Sequence, residues 1–586
     1  MPTKAWLIGG GAVLALAIPA LAQNAAQPQE TPPTTQPVSG NQSAAPEPAG
    51  AAASSAGPGE SAVEVAENVK LATPVSAVEY PGWARRDAWS VGLIEPADAG
   101  LGNVPWGAAN GAFLTTLMRR MDTPTASRWA HIALRNALIA RTRAPRLVNP
   151  VDWTAERSWL LLRMGEADAA RLLVAGVDTD RFTPKMVQVA VQSALADGDP
   201  PALCPLEGAM RRYEPRVRPM VSAMCSSLAG EPQIASAQID DARRYGRIGG
   251  IDLVLAEKVV GAGSNTGRST TIEWEPVDTL NSWRFGLATA TGLKLPKKLL
   301  DKASPQLRAF EARAALLEPE ERLESAFIAA GLGVFSSQSM IDLYSAIYDA
   351  TDPSDLPSSD AWKLRQAFVG KDRDAKMAGI RHFLTMGGSA LKKEGARAAV
   401  ARAASLIEPD AALEADAAGM IGAMLAAGYD RQAARWLAVI DDMDDANTDA
   451  CWAMLALAAP DDVDIDLTSG RVNGFVKRDT SEGKVRSSLL IGGLAGLGRM
   501  SQDASNTINR RNGFGLGRDT RWTRMIDAAA KRGQAGTVLV LTGTGFQTSD
   551  WTKVPAHHLY HSVTGLKRTG QGFAARMIAA EALSRT

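Results

Sequence analysis

From about Tyr80 to the C-terminus, apolar residues recur at three- and four-residue spacing with almost no two-residue alternation. That period keeps one side of an α-helix turned inward, and it leaves no room for half-buried strands. The stretch from Ala126 to Arg141 sets the pattern: Arg128, His131 and Arg135 form a narrow polar stripe, while Trp129, Ile132, Ala133, Leu134, Ala137 and Leu138 cover the rest. A helix apolar over most of its girth has to lie between neighbours. The expected class is all-α. Helix starts are marked by Pro with acids beside it, where the missing amide costs nothing and the helix dipole favours negative charge. Leu316-Leu317-Glu318-Pro319-Glu320 followed by Leu323-Glu324 is echoed by Leu406-Ile407-Glu408-Pro409-Asp410 followed by Leu413-Glu414.

A second echo concerns packing. Gly165 before Ala169-Ala170-Arg171, Gly428 before Ala433-Ala434-Arg435, and Gly570 before Ala574-Ala575-Arg576 each place a turn glycine ahead of small residues that let two helices approach closely. This resembles the tetratricopeptide style of repeat, in which a Gly ends one helix and Ala on the next packs into it, with an irregular period and without the full consensus. The resemblance implies a divergent α-solenoid of helical hairpins over residues 76–586. The layout also resembles the uncharacterised secreted helical-repeat proteins of GC-rich Gram-negative bacteria, a family that implies no activity. Two polar segments, 261–275 and 467–521, are expected to interrupt the helices. Long polar segments of this kind are commonly functional or disordered, which makes each a place where a partner could dock.

Residues 1–22 hold Lys4, an apolar run from Trp6 to Ile18, and Ala20-Leu21-Ala22 before Gln23. Charge, apolar run and small residues in that order read as a secretory signal peptide cut after Ala22. The run is shorter than the roughly 20 residues of a bilayer span, and no Cys follows it to accept a lipid. The expectation is an exported, periplasmic protein with no stable membrane span after cleavage. Residues 23–75 are rich in Ala, Pro, Gln, Ser, Thr and Gly and have few large apolar side chains to offset the entropy of ordering the backbone. They read as a disordered tether. Their Ala/Thr/Pro bias resembles that of antifreeze glycopeptide polyproteins, without the tripeptide period of that family.

With 586 residues, 46% of them apolar, the chain can bury a large core, and its 63 basic and 63 acidic side chains balance. No basic excess or stripe exists to hold nucleic acid. Of the three cysteines, Cys204 precedes one apolar helical stretch and Cys225 ends the next, with a polar turn at Arg211 to Arg218 between them. In an antiparallel hairpin those ends lie side by side, so a Cys204–Cys225 disulfide is expected, contributing about 3 kcal/mol by chain entropy. Cys451, beside Trp452, reads as a small packed hydrophobe.

Candidate chemistry is sparse. Val260-Gly261-Ala262-Gly263-Ser264-Asn265-Thr266-Gly267-Arg268-Ser269 has the glycines of a phosphate loop but Ala262 at the first required Gly and Arg268 at the required Lys, so it reads as a surface loop. His557 and His561 stand at i and i+4 on one helix face, as in zinc proteases, but His558 occupies the place of the general-base Glu. The acids at 441–445 and 461–466 suit calcium in type, yet Leu467 and Asn473 stand where a calcium loop needs Gly and Glu. Glu324-Ser325-Ala326-Phe327 resembles the Glu-Ser-x-Phe of lytic transglycosylases, which implies Glu324 as a general acid kept protonated in a saccharide groove; Gly331-Leu332-Gly333-Val334-Phe335 departs from the Gly-Leu-Met-Gln of that family. No Gly-x-Ser-x-Gly elbow occurs. Trp83, Trp89, Trp106, Trp274 and Trp283 could stack on sugars, or anchor helices.

These readings point to a non-enzymatic periplasmic scaffold binding a protein, a peptide or a cell-wall component such as peptidoglycan, with no cofactor. The alternatives are a cell-wall glycan lyase acting through Glu324, and a secreted structural protein using the tether as a spacer.

Overall fold

The computed structural model describes residues 81–245, 249–264 and 271–586. The segments read as signal peptide (1–22) and tether (23–75) lie outside the described residues, as do 265–270 of the Gly-rich segment. One unit runs from Arg86 to Thr586; of a second, ending at Arg85, residues 81–85 are described and hold a single 3-10 turn, Gly82–Ala84.

The larger unit is built from helices. In chain order they are α1 Gly111–Arg120, α2 Arg128–Ile139, α3 Pro150–Met164, α4 Ala167–Ala175, α5 Pro184–Ala196, α6 Glu207–Tyr213, α7 Arg218–Leu228, α8 Pro232–Tyr245 and α9 Ile251–Gly263. Then come α10 Ser282–Thr289, α11 Lys297–Leu300, α12 Pro305–Glu311, α13 Pro319–Leu332, α14 Ser337–Ala350, α15 Asp360–Val369, α16 Arg373–Leu384, α17 Ala390–Ser405 and α18 Glu414–Ala426. The last nine are α19 Asp430–Ala434, α20 Asp445–Ala458, α21 Ser469–Arg478, α22 Val485–Gly496, α23 Gln502–Asn512, α24 Arg521–Lys531, α25 Ala535–Gly545, α26 Ala556–Arg568 and α27 Gly572–Ser584. Among the described residues there is no strand, only two isolated bridges, and no helix is long and apolar enough to cross a membrane.

Local chemistry explains where these helices begin. Pro opens α3, α5, α12 and α13, and a side chain caps the first three: Asn149 accepts from the Val151 and Asp152 amides, Thr183 from Met186, and Ser304 from Leu307. Asp410 caps the 3-10 turn Ala411–Leu413 that leads into α18. The three glycine echoes share one local structure. Gly165, Gly428 and Gly570 have φ of 93°, 82° and 86°, a left-handed turn that other residues rarely adopt. The alanines that follow each are buried. The arginine closing each echo reaches a carboxylate elsewhere: Arg171 to Asp199 at 3.2 Å, Arg435 to Glu408 at 3.3 Å and Arg576 to Asp430 at 2.8 Å.

The segment 467–521, expected to interrupt the helical pattern, carries α21, α22 and α23. Its Gly and Asn lower intrinsic helix propensity, but apolar residues such as Val472, Phe475 and Val476 on α21, Leu489, Leu490 and Leu494 on α22 and Ile508 on α23 are buried, and that burial decides the conformation. In the other polar segment, α9 continues through Gly263 before the chain leaves the described residues.

Neighbouring helices pack in sequence order over long stretches, as α3 does with α4 and α5, and α7 with α8 and α9. Neighbour-only stacking nevertheless fails to describe the unit. In a strict solenoid each repeat touches only those beside it, whereas here α2 packs on α13, α25 and α27, and α27 packs also on α18, α20, α22 and α26. The second helix and the last therefore meet.

Glu581 on α27 makes that closure. Its buried carboxylate accepts from Ser127 Oγ at 2.6 Å, the Arg128 amide at 2.8 Å and the Trp129 amide at 3.2 Å, capping the N-terminus of α2. Arg585 donates to Glu581 at 2.6 Å and to the Ala126 carbonyl at 2.7 Å. At the other end of α2, the buried Arg157 donates to the carbonyls of Leu138 at 3.0 Å and Ala140 at 3.1 Å. Negative charge at the amino end and positive charge at the carboxyl end both favour the helix dipole. Arg128 adds bonds to the carbonyls of Ala330 on α13, at 2.8 Å, and Ala426 on α18. Arg128 and His131 of the polar stripe are thus buried, with His131 Nε2 3.0 Å from Glu166 Oε1, and Arg135 is half-buried.

Cys204, in the 3-10 turn Pro200–Leu206, and Cys225, on α7, are joined by a disulfide with Cα atoms 5.6 Å apart. Cys451 is buried and unbridged, and burial pushes its thiol up to about 12.

Candidate functional site

Glu324 sits on α13 in a charged surface setting. Its carboxylate accepts from Lys297 Nζ at 3.2 Å and lies 3.7 Å from Arg308 Nη2. Partial burial pushes its pKa up, but the Lys297 hydrogen bond and the charges of Arg308, Lys297 and Lys392 outweigh this and hold it below the usual Glu value. A general acid needs the opposite environment. At neutral pH this carboxyl is ionised.

His557, His558 and His561 all lie on α26. His561 Nδ1 is 2.8 Å from Asp527 Oδ1 on α24, and His558 Nδ1 is 2.9 Å from the Gly545 carbonyl. His557 is buried, and burial, with smaller contributions from His558, Arg518 and His561, pushes its imidazole down to about 4, so it is neutral at pH 7. Among the described residues no three His, Cys, Asp or Glu side chains come together in a way that could hold a metal ion. Of the acids at 441–445 and 461–466, Asp444 caps α20, Asp461 pairs with Arg499 at 2.9 Å, and Asp462 pairs with Arg431 at 3.0 Å.

The tryptophans divide. Trp106 and Trp283 are core anchors whose indole N–H groups donate to Thr142 at 2.8 Å and to the Asp252 carbonyl at 3.0 Å. Trp89 is exposed. A surface that sequence reading passed over lies on α14 and α15. Ala361, Leu364 and Ala367 of α15 face the core, while Trp362, Arg365 and Val369 face outward. The Trp362 ring lies nearly parallel to that of Tyr348 on α14, centroids 6.3 Å apart and planes 12° apart. The Arg365 guanidinium stands 4.8 Å from the Tyr348 ring centroid, within cation–π range. Val369, 65% exposed, extends the surface by a turn. The available signal was Trp362 on the polar side of an otherwise regular amphipathic helix.

A second feature without a motif is the carboxyl pair Asp168, at the start of α4, and Asp197, after α5. The two carboxyls lie in hydrogen-bonding reach of each other, and one buried oxygen of each has no donor among the described residues. Two acceptors so placed require a shared proton. Burial and then Asp197 raise the pKa of Asp168, with Arg313 opposing at 3.9 Å; burial raises Asp197.

The flat rings and single guanidinium of α14 and α15 suit adhesion. Comparison with family models, with curated proteins and with solved structures finds no match to this chain.

Proposed function

We propose that this chain is an exported, non-enzymatic binding scaffold whose helical body presents the α14–α15 surface to a protein or peptide partner. The observation that carries the reading is the solvent-facing stack of Trp362 on Tyr348, flanked by Arg365 and Val369. Trp, Tyr and Arg dominate binding hot spots because each combines a large apolar face with a polar tip or charge. The packing of helices in sequence order over long stretches, as α3 with α4 and α5, supports the same reading, since it builds broad surfaces. The Cys204–Cys225 disulfide supports export, because such bonds persist in oxidising compartments.

In-cell crosslinking of the protein and its Trp362→Ala variant, followed by mass spectrometry of the captured partners, tests the proposal. A partner held by the wild type should be lost, as truncating a hot-spot residue costs about 2 kcal/mol or more, roughly thirtyfold in affinity. Identical capture by both proteins sinks it. Glycan cleavage through Glu324 is the competing reading, and its ion-paired carboxylate argues against it; Glu324→Gln should leave glycan turnover unchanged.

A further inference from the structure

The pocket at the start of α26, about 440 Å³ in volume, joins three segments distant in sequence. The 3-10 turn before α22 contributes Glu482, the loop after α23 contributes Gly515 and Arg518, and the first turn of α26 contributes Ala556 and His557. Its size falls within the range of small-molecule sites.

Ser488, Asn512 and Thr552 of its lining bond locally, at 2.8, 2.9 and 2.7 Å, whereas three other polar groups there are uncommitted. His557 is 6% exposed, yet its imidazole forms no hydrogen bond among the described residues while lining the pocket. The α26 N-terminus has Pro555 as its cap, with no side-chain cap bond, and the amides of Ala556 and His557 are likewise without acceptors among the described residues. Such an end favours an anion. Arg518 and Glu482 are exposed, carry opposite charges and line the same pocket, but neither forms an ion pair with the other or with any described residue.

We infer that this pocket binds a small zwitterion of the amino-acid class, its carboxylate taken by Arg518 and the α26 amides and its ammonium by Glu482. A simple anion would meet repulsion from Glu482, and a simple cation would meet it from Arg518. The neutral His557 imidazole contributes a directional hydrogen bond to the ligand without altering the charge balance, since burial and its neighbours keep it unprotonated at pH 7. The inference stands independently of the partner surface on α14 and α15.

Calorimetric titration of the full-length folded protein with each free L-amino acid and with the dipeptide Ala-Ala, at millimolar concentration, tests it. At least one should bind with one-to-one stoichiometry, and Arg518→Gln and Glu482→Gln should each weaken that binding about tenfold or more, as expected for loss of one charge-assisted bond. Both side chains are exposed, so the folds of the variants should be unchanged by circular dichroism. A second arm needs only the wild type: the ligand's carboxamide and its deaminated acid should both bind less well than the ligand. No binding by any probe, binding indifferent to either substitution, or a deaminated acid that binds equally well each overturns the inference.

Discussion

Asp168 and Asp197 show what a single proton does inside this molecule. Both carboxyls have raised pKa values when folded, Asp168 through burial and then its neighbour, Asp197 through burial. Above about pH 4, where an unfolded Asp ionises, the folded chain therefore holds more protons than the unfolded one. Stability from this pair is then greatest at low pH and falls as pH rises toward the raised values. Asp168→Asn replaces the shared proton with a permanent amide donor. Urea denaturation at pH 5, 7 and 9 should show a smaller loss of stability with pH in the variant than in the wild type. An unchanged slope would mean that the pair is not protonated.

At the scale of the element, α13 and α17 press their backbones together. A Cβ on Gly331 would lie 2.1 Å from the Leu391 carbonyl oxygen, and one on Gly395 would lie 2.0 Å from that of Phe327. The two glycines let each helix press its backbone onto the other. Gly→Ala in a helix interior ordinarily stabilises by about 1 kcal/mol. Gly395→Ala should do the reverse, because the contact is with rigid backbone and the helices must separate, at a cost of about 1–3 kcal/mol as for overpacking. Thermal denaturation of the variant measures the sign. Helix starts at proline and the glycine turns were legible in the sequence, because capping and left-handed φ are local demands. The helices α21 to α23 were not, because their Gly and Asn weaken local propensity and the burial that overrides it, as of Val472, Leu490 and Ile508, depends on neighbours brought in by folding.

For the whole molecule the decisive contact is between its ends. Glu581 caps α2 from α27 and neutralises Arg585, all within the core. Glu581→Ala leaves the Arg585 guanidinium buried without its partner and removes the acceptor of the Arg128 amide, and breaking a buried pair in this way costs about 3–5 kcal/mol. Denaturant unfolding should report that loss. Hydrogen exchange should show α2 losing protection together with α27, since one side chain secures both. Protection of α2 that survived the substitution would place the closure elsewhere.

The sequence by itself determined that the chain is helical, where many helices begin and turn, and that it lacks a recognisable reaction motif, because period, capping and motif spacing are properties of adjacent residues. Only the tertiary structure decided that Arg128 and His131 of α2 are buried, that Glu581 and Arg157 cap that helix from other elements, and that Trp362 and Tyr348 stack at the surface. It alone brought Glu482, Arg518 and His557 into one pocket. Each depends on which residues become neighbours after folding. A carboxylate or an indole has the same local pattern whether its eventual partner is water, a helix end or a ligand, so its role is fixed by contacts over hundreds of residues.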